Sequence, residues 1–364
     1  MKKIRALFKN TAFNLFVIFA LSGLVLYFTM RNDGDTVIRL LSQSSKWMLV
    51  FLVVMMIVDK ALLGLGLMLE CRQTHPHYTW WKGFVNAYVA GLFNNITPGA
   101  SGGQVAQGFI FRKQGIPVSH SVGILWLDFI VYQSTMCIYV LLLIIFRFPY
   151  FYANYSEFFV IVIFGFLIAA GIIGFLWALA KIPPFYQWLT TSGIRLGHKL
   201  HLVKDMDAAL KSLDELLAAF AKEVVVLSTH KPMIVQLVLI TVLRLTLQYS
   251  IPYFCAKALH VDVSPALLFN IIALSAFVAM VNAFLPMPGS SGGTEATFVL
   301  MFSTIFTRGD AASIMILWRS VTFYMTLLIG GIIFAYAKTR PNEPMEEALP
   351  RTYASEAMEH LEEL

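Results

Sequence analysis

Two polar stretches carry the residue types that can do chemistry in a chain that is otherwise strongly apolar. The first runs from Asn94 to Gln107, NNITPGASGGQVAQ, and the second from Leu285 to Thr297, LPMPGSSGGTEAT. Pro98-Gly99-Ala100-Ser101-Gly102-Gly103 aligns with Pro288-Gly289-Ser290-Ser291-Gly292-Gly293, 190 positions further on. Ser101 to Gln104 has the S-x-x-Q form of a capping box, and Ser291 to Thr294 is its weaker counterpart, so each stretch reads as the start of a helix. Free N–H groups and the positive end of the helix dipole attract an anion at such a start, and glycines let it come close. The plainer reading is a tight turn whose glycines serve packing alone. The recurrence of the motif weighs toward binding. Asn94, Asn95, Thr97, Gln104 and Gln107 read equally as ligands for a polar group or as partners for a broken backbone. Ser101, Gly102 and Gly103 in the first stretch and Ser290, Ser291, Gly292, Gly293 and Thr294 in the second, which correspond to Ala100 to Gln104, are candidates for the same binding.

Glu295 is the sharpest single residue, a carboxylate beside the second motif and inside an apolar run. Ionisable groups in such runs are costly and tend to pair, bind or move protons. Asp128, Arg244 and Arg319 are the other such candidates. Two pairings are open: Asp128 with Arg319 and Glu295 with Arg244. The arginines are equally suited to neutralising a phosphate. Asp59-Lys60 reads as a local polar notch. Glu70, His75 and His77 lie close together in what reads as a solvated loop. No P-loop, H-E-x-x-H or G-x-S-x-G pattern occurs. Cys71, Cys137 and Cys255 have no metal or redox spacing, so neither a metal nor a cofactor is expected.

The elements that must position these residues are membrane helices. Of 364 residues, 58% are hydrophobic and 13% charged, about half the charged share of a soluble domain. Several runs reach the ~20 apolar residues that cross a bilayer. Residues 11–30, 46–69, 120–146, 157–180, 232–257 and 311–337 read as spanning helices. The two motifs interrupt runs too short to span, 83–113 and 266–307, which read as re-entrant hairpins of two half-helices. Broken backbone at that depth is tolerated where it is buried in protein or lines a wet cavity. The expected fold is an all-α integral membrane protein with an inverted-topology repeat. Each half carries three spanning helices and one re-entrant broken-helix hairpin.

The parts are an N-terminal half over 1–180, a segment over 181–231, a C-terminal membrane part over 232–340 and a tail over 341–364. Residues 181–231 hold seven Lys/Arg and five Asp/Glu, with Met206, Leu210, Leu213, Leu217 and Phe220 at helical spacing. This reads either as amphipathic helices on the cytoplasmic surface or as a plain linker. The net charge of +6 fits basic loops held in the cytoplasm, with both termini inside, and not nucleic-acid binding. Opposed broken helices in two inverted halves are the mark of a transporter-type site. A lipid phosphate is the natural anionic guest there.

The pair TPGASGGQ and PMPGSSGGTE, with this hydropathy profile, resembles the flippase-like transmembrane domain of the lysylphosphatidylglycerol synthase family over roughly residues 5–340. The resemblance implies a protein of the bacterial cytoplasmic membrane whose halves face each other around a lipid-sized cavity. In that family this domain moves aminoacylated phosphatidylglycerol between leaflets, and a separate cytosolic domain attaches the lysine. Here only residues 341–364 follow Arg340, so lysyl transfer by this chain alone is not expected. The expected activity is translocation of an anionic, aminoacylated or glycosylated lipid. The alternatives are a component of lysylphosphatidylglycerol synthesis, with resistance to cationic peptides, or a scaffold that recruits a lipid-modifying enzyme. The expected partners are a phospholipid or glycolipid, a second copy of the chain, and a separate lipid-modifying enzyme.

Overall fold

The computed structural model describes residues 42–97, 102–146, 229–282 and 293–345, with scattered positions at 39 and between 152 and 192. The expected helices over 11–30 and 157–180, most of the 181–231 segment, both proline-glycine tips and the tail beyond 345 lie outside the described residues. Nine α-helices are described. They are α1 (Lys46–Cys71), α2 (Trp80–Ile96), α3 (Gly102–Lys113), α4 (Val118–Phe146), α5 (Lys231–Ala258), α6 (Leu268–Asn282), α7 (Gly293–Phe302), α8 (Arg308–Arg319) and α9 (Met325–Thr339). A 3₁₀ turn, Pro265–Leu267, leads into α6, and a π-helical turn, Ser320–Tyr324, joins α8 to α9. Four of these stretches are long and apolar enough to cross a bilayer: Lys46–Cys71, His120–Phe146, Lys231–Ala258 and Arg308–Thr339. The 26 residues of α1 extend about 39 Å, more than the ~30 Å hydrocarbon core. The 17 residues of α2 and 12 of α3 extend about 26 and 18 Å. Neither reaches across.

α2 and α3 form an antiparallel hairpin. Gln114 Nε2 donates to the Lys82 carbonyl at 3.0 Å, Asn86 Nδ2 to the Gln107 carbonyl at 3.4 Å, and the Gly103 N–H to Asn94 Oδ1 at 2.9 Å. Residues 83–90 of α2 are buried without a break, the pattern of a helix surrounded by protein rather than by lipid or water. Backbone contact makes this possible. A Cβ on Gly83 would lie 2.2 Å from the Gly64 carbonyl oxygen, and one on Gly64 would lie 2.5 Å from the Phe84 nitrogen. Only glycines allow α1 and α2 to cross so closely, as small residues do at membrane helix crossings.

Val85, Val89 and Leu92 of α2 share one apolar core with Ala106 and Ile110 of α3 and with Phe323, Leu327 and Phe334 of the π turn and α9. The larger core gathers α5, α6, α7 and α8 and takes in Leu52 and Met55 of α1 and Met136 and Val140 of α4. α9 therefore packs against the α2–α3 hairpin, while α4 packs against α5 and α6. α5 lies at the centre of this exchange and carries Pro252. Proline has no N–H to give the carbonyl four residues earlier, here that of Gln248.

The expected last span, 311–337, lies within the continuous helical stretch Arg308–Thr339, which holds a π turn at Ser320–Tyr324. One expectation needs correction. Glu70 and His75 do not lie in a solvated loop: both are fully buried, and only His77 of the three is exposed. Glu70 belongs to the last turn of α1, and the His75 ring packs edge-on to His120 of α4, with centroids 5.3 Å apart.

Candidate functional site

A cavity of about 250 Å³ lies at the centre of the bundle. Its polar lining comes from Lys60 of α1, Asn95 of α2, Gln248 of α5, Ser275 of α6, Arg319 of α8 and Thr322 of the π turn. Its apolar lining includes Phe298 and Trp318, stacked with centroids 5.0 Å apart. Two cations thus border one space inside an apolar bundle.

Each cation is paired with a carboxylate that is not itself part of the lining. Lys60 Nζ lies 3.0 Å from Asp59 Oδ2. Asp59 Oδ1 also accepts from Arg244 Nε at 3.1 Å and from Gln248 Nε2 at 3.0 Å. Asp59 is 1% exposed. It therefore clamps α1 to α5 through two α5 donors, with Lys60 of its own helix as a third, and burial of a charge is tolerated when it is paired and hydrogen-bonded in this way. The Arg244 guanidinium also stands over the Tyr132 ring of α4 at 5.9 Å. Arg319 Nε lies 2.8 Å from Glu295 Oε1, which ties α8 to α7. The same guanidinium stands 5.2 Å from the Phe323 ring centroid and 5.5 Å from that of Trp318.

These pairs differ from both pairings left open by the sequence. Glu295 meets Arg319 and not Arg244, and Arg244 meets Asp59. The physical reason is proximity within helix pairs: α7 packs on α8, and α5 packs on α1. Asp128 stays on α4 and makes neither pair. Asp59-Lys60 is no local notch, because it joins residues 185 positions apart in the chain.

The first glycine motif is described from Gly102 onward. Two of the N–H groups expected to be free at the start of α3 already have acceptors. The Gly102 N–H donates to Thr97 Oγ1 at 2.9 Å, and the Gly103 N–H to Asn94 Oδ1 at 2.9 Å. Thr97 Oγ1 in turn donates to the Phe93 carbonyl at 2.6 Å. A Cβ on Gly102 would lie 2.5 Å from Thr97 Cγ2, and one on Gly103 would lie 2.1 Å from Asn94 Oδ1. A side chain at either position would have to displace the Thr97 or Asn94 side chain that accepts from the start of α3. Asn95 lines the cavity and donates to the Phe323 carbonyl at 3.4 Å, at the π turn, where the regular helix ladder is interrupted. Gln107 is buried on α3, whereas Gln104 is exposed and borders an apolar groove beside Trp126 and Phe129. Ser101, Ser290, Ser291 and Gly292 lie outside the described residues. Gly293 and Thr294 open α7, with Thr294 buried.

The structure thus brings Asn95, Arg319 and, through its ion pair, Glu295 to the cavity. Gln104, Gln107 and Asp128 stand elsewhere. Sequence reasoning missed Lys60 and Gln248 as lining residues and Asp59 as the clamp. The available signal was an adjacent Asp-Lys pair inside an unbroken apolar helix, which the cost of intramembrane charge marks as significant.

Fold and site together define a helical membrane protein with a small, cation-bordered cavity enclosed by helices from both ends of the chain. The chain belongs to the family described as lysylphosphatidylglycerol synthase TM region, whose model matches residues 15–330 of the 364. It is accordingly a membrane protein of a lipid-related family. No curated protein and no solved structure matches it.

Proposed function

We propose that the chain is a lipid translocase of the bacterial cytoplasmic membrane, with the central cavity receiving the anionic part of a headgroup. The observation that carries this reading is that Lys60 and Arg319 line one cavity. Two cations with Asn95 and Gln248 beside them match a phosphate diester, which needs charge and several hydrogen-bond donors. A volume of about 250 Å³ is below the usual range for drug-sized ligands. The cavity therefore takes the phosphate end of a lipid, and the acyl chains remain outside in the bilayer.

Alternating access would follow from an inverted repeat. Its two halves would each present a re-entrant hairpin, α2–α3 and α6–α7. The packing supports this symmetry. α1 meets α2 as α5 meets α6, and the last helix of each half crosses to the other half's hairpin, α9 onto α2 and α4 onto α6. Rocking of one half on the other would open the cavity to each leaflet in turn. In this reading both chain termini are cytoplasmic. On the same reading Asn95 and Glu295 of the hairpins, with Arg319 of α8, stand nearest the lipid path, while Asn94 and Thr97 support the first hairpin.

The test is leaflet exchange in proteoliposomes with head-labelled phosphatidylglycerol, its lysyl form and a glycolipid. Exchange of one lipid above empty liposomes, lost in Arg319→Gln and in Lys60→Gln, is the expected result. Exchange unaffected by both substitutions would sink the cavity assignment. A second reading rests on the family's description: the chain serves lysylphosphatidylglycerol synthesis. It requires lysyl-lipid to form from lysyl-tRNA when the purified chain is supplied, alone or with a partner enzyme.

A further inference from the structure

A second pocket, of about 360 Å³, lies where α2 begins and where α3 and α9 end. It shares no lining residue with the central cavity. Lys82 of α2, Lys113 at the end of α3 and Arg340 just past α9 all line it, and so do Trp81 and Tyr336. Trp81 is 49% exposed, and a half-exposed tryptophan at a helix end is typical of the headgroup level of a bilayer. The Arg340 guanidinium stands 4.7 Å above the Tyr336 ring.

The chain after α9 does not leave the molecule at once but crosses this pocket. Lys113 Nζ donates to the carbonyls of Lys338, at 2.8 Å, and Arg340, at 2.7 Å, and so caps the end of α9. The Glu343 N–H donates to the Lys113 carbonyl at 2.9 Å. Gly115 has a φ of +86°, and a Cβ there would lie 2.5 Å from the Pro344 carbonyl oxygen. Glycine at that position both makes the left-handed turn and leaves room for the segment to lie down. The Glu343 carboxylate then reaches Lys82 Nζ at 2.5 Å. Three cations and one carboxylate line the pocket, so it keeps an excess of positive charge.

We propose that this pocket binds the phosphate of an anionic lipid headgroup, and that Glu343 is its built-in competitor, an anion seated on Lys82 that the phosphate displaces. A carboxylate on a short tether engages Lys82. A phosphate diester that is not tied to the chain, its one charge shared by two non-bridging oxygens, is free to sit between Lys82 and Arg340, and a guanidinium suits such an anion geometrically. The lipid source follows from the rest of the lining. Val85, Ile110 and Ala337 form an apolar side next to Trp81, which suits the start of an acyl chain and offers nothing to a free phosphate ion. Basic pockets between membrane helices at the bilayer surface bind anionic headgroups in this way. The site does not depend on translocation.

The test uses the full chain in detergent micelles at constant ionic strength. Its unfolding temperature is followed against short-chain phosphatidylglycerol, short-chain phosphatidylcholine and inorganic phosphate. Saturable stabilisation by phosphatidylglycerol alone is expected. Lys82→Gln with Arg340→Gln shifts half-saturation upward about tenfold, the scale of one charge-assisted contact. Glu343→Gln shifts it several-fold downward, which a merely structural strap would not do. The unliganded unfolding temperature of each variant reports its folding. Equal stabilisation by phosphatidylcholine, or weaker or unchanged phosphatidylglycerol binding in Glu343→Gln, overturns the proposal. Saturation by inorganic phosphate with the same variant pattern overturns the lipid assignment in favour of a soluble phosphate.

Discussion

Asp59 and Glu295 are both carboxylates inside apolar helices and both meet an arginine, yet their settings differ. Asp59 is 1% exposed and takes Lys60, Arg244 and Gln248 at 3.0–3.1 Å. Its partners come from its own helix and from α5, so it holds two long helices together. The Glu295 side chain is 21% exposed, and it pairs with Arg319, whose guanidinium faces the cavity and two aromatic rings. A saturated, buried carboxylate resists exchange of partners, because releasing a donor leaves a bare charge in a low-dielectric interior. A partly exposed carboxylate beside a cavity can yield its arginine to an incoming anion. The first arrangement sets the shape of the site, and the second is suited to being used.

Breaking the Asp59 cluster should have the largest effect on stability. Asp59→Leu strands Lys60 and Arg244 and is expected to cost about 3–5 kcal/mol, read as a fall in unfolding temperature of the purified protein in detergent. Adding Arg244→Met and Lys60→Met to it should recover a large part of the loss, since the stranded charges are removed. If the single variant is as stable as the parent, the clamp reading is wrong.

Next in size is the crossing that keeps α1 in place to present Asp59. Gly83→Val puts a branched side chain where even a Cβ would lie 2.2 Å from the Gly64 carbonyl oxygen. Overpacking of this kind costs about 1–3 kcal/mol or forces the helices apart. Lipid exchange should fall with it.

The hairpin comes third. Asn94→Ala removes the acceptor of the Gly103 N–H, and loss of such a cap costs about 1 kcal/mol. Thermal unfolding should register that loss while the cavity's cations stay in place.

Glu295→Gln should perturb stability least, since the Glu295 side chain is 21% exposed against 1% for Asp59 and the amide keeps an oxygen that accepts from Arg319. Its effect belongs to exchange, where removal of the counter-charge leaves Arg319 more attractive to phosphate and slows release. The comparison between the two carboxylates fails if Glu295→Gln destabilises the fold as much as Asp59→Leu does.

Much of this architecture was legible in the sequence because membrane helices are written in uninterrupted hydropathy. The expected run 120–146 appears as α4, Val118–Phe146, and the run 232–257 as α5, Lys231–Ala258. The first glycine pair marked the closing of the α2–α3 hairpin, since a Cβ at Gly102 or Gly103 would strike Thr97 or Asn94. The ion pairs were not legible. Six charges, Asp59, Lys60, Asp128, Arg244, Glu295 and Arg319, allow several pairings, and only the packing of α7 on α8 and α5 on α1 selects Glu295–Arg319 and Asp59–Arg244. Glu70 and His75 misled for the opposite reason. Polar types next to a proline look solvated, and only the close packing of α1 and α4 buries them.

Sequence alone determined that this chain spans a membrane with helices, where most described helices begin and end, and which two stretches break the pattern. Those features follow from local physics, namely the cost of unpaired backbone in lipid and the conformations open to glycine and proline. The tertiary structure decided which charges neutralise one another, that Lys60 and Arg319 share a cavity, and that Glu343 returns to Lys82 across 261 positions. Electrostatic partners inside a bilayer are chosen by distance in space. That distance is set by how helices pack and leaves no periodic trace in the chain.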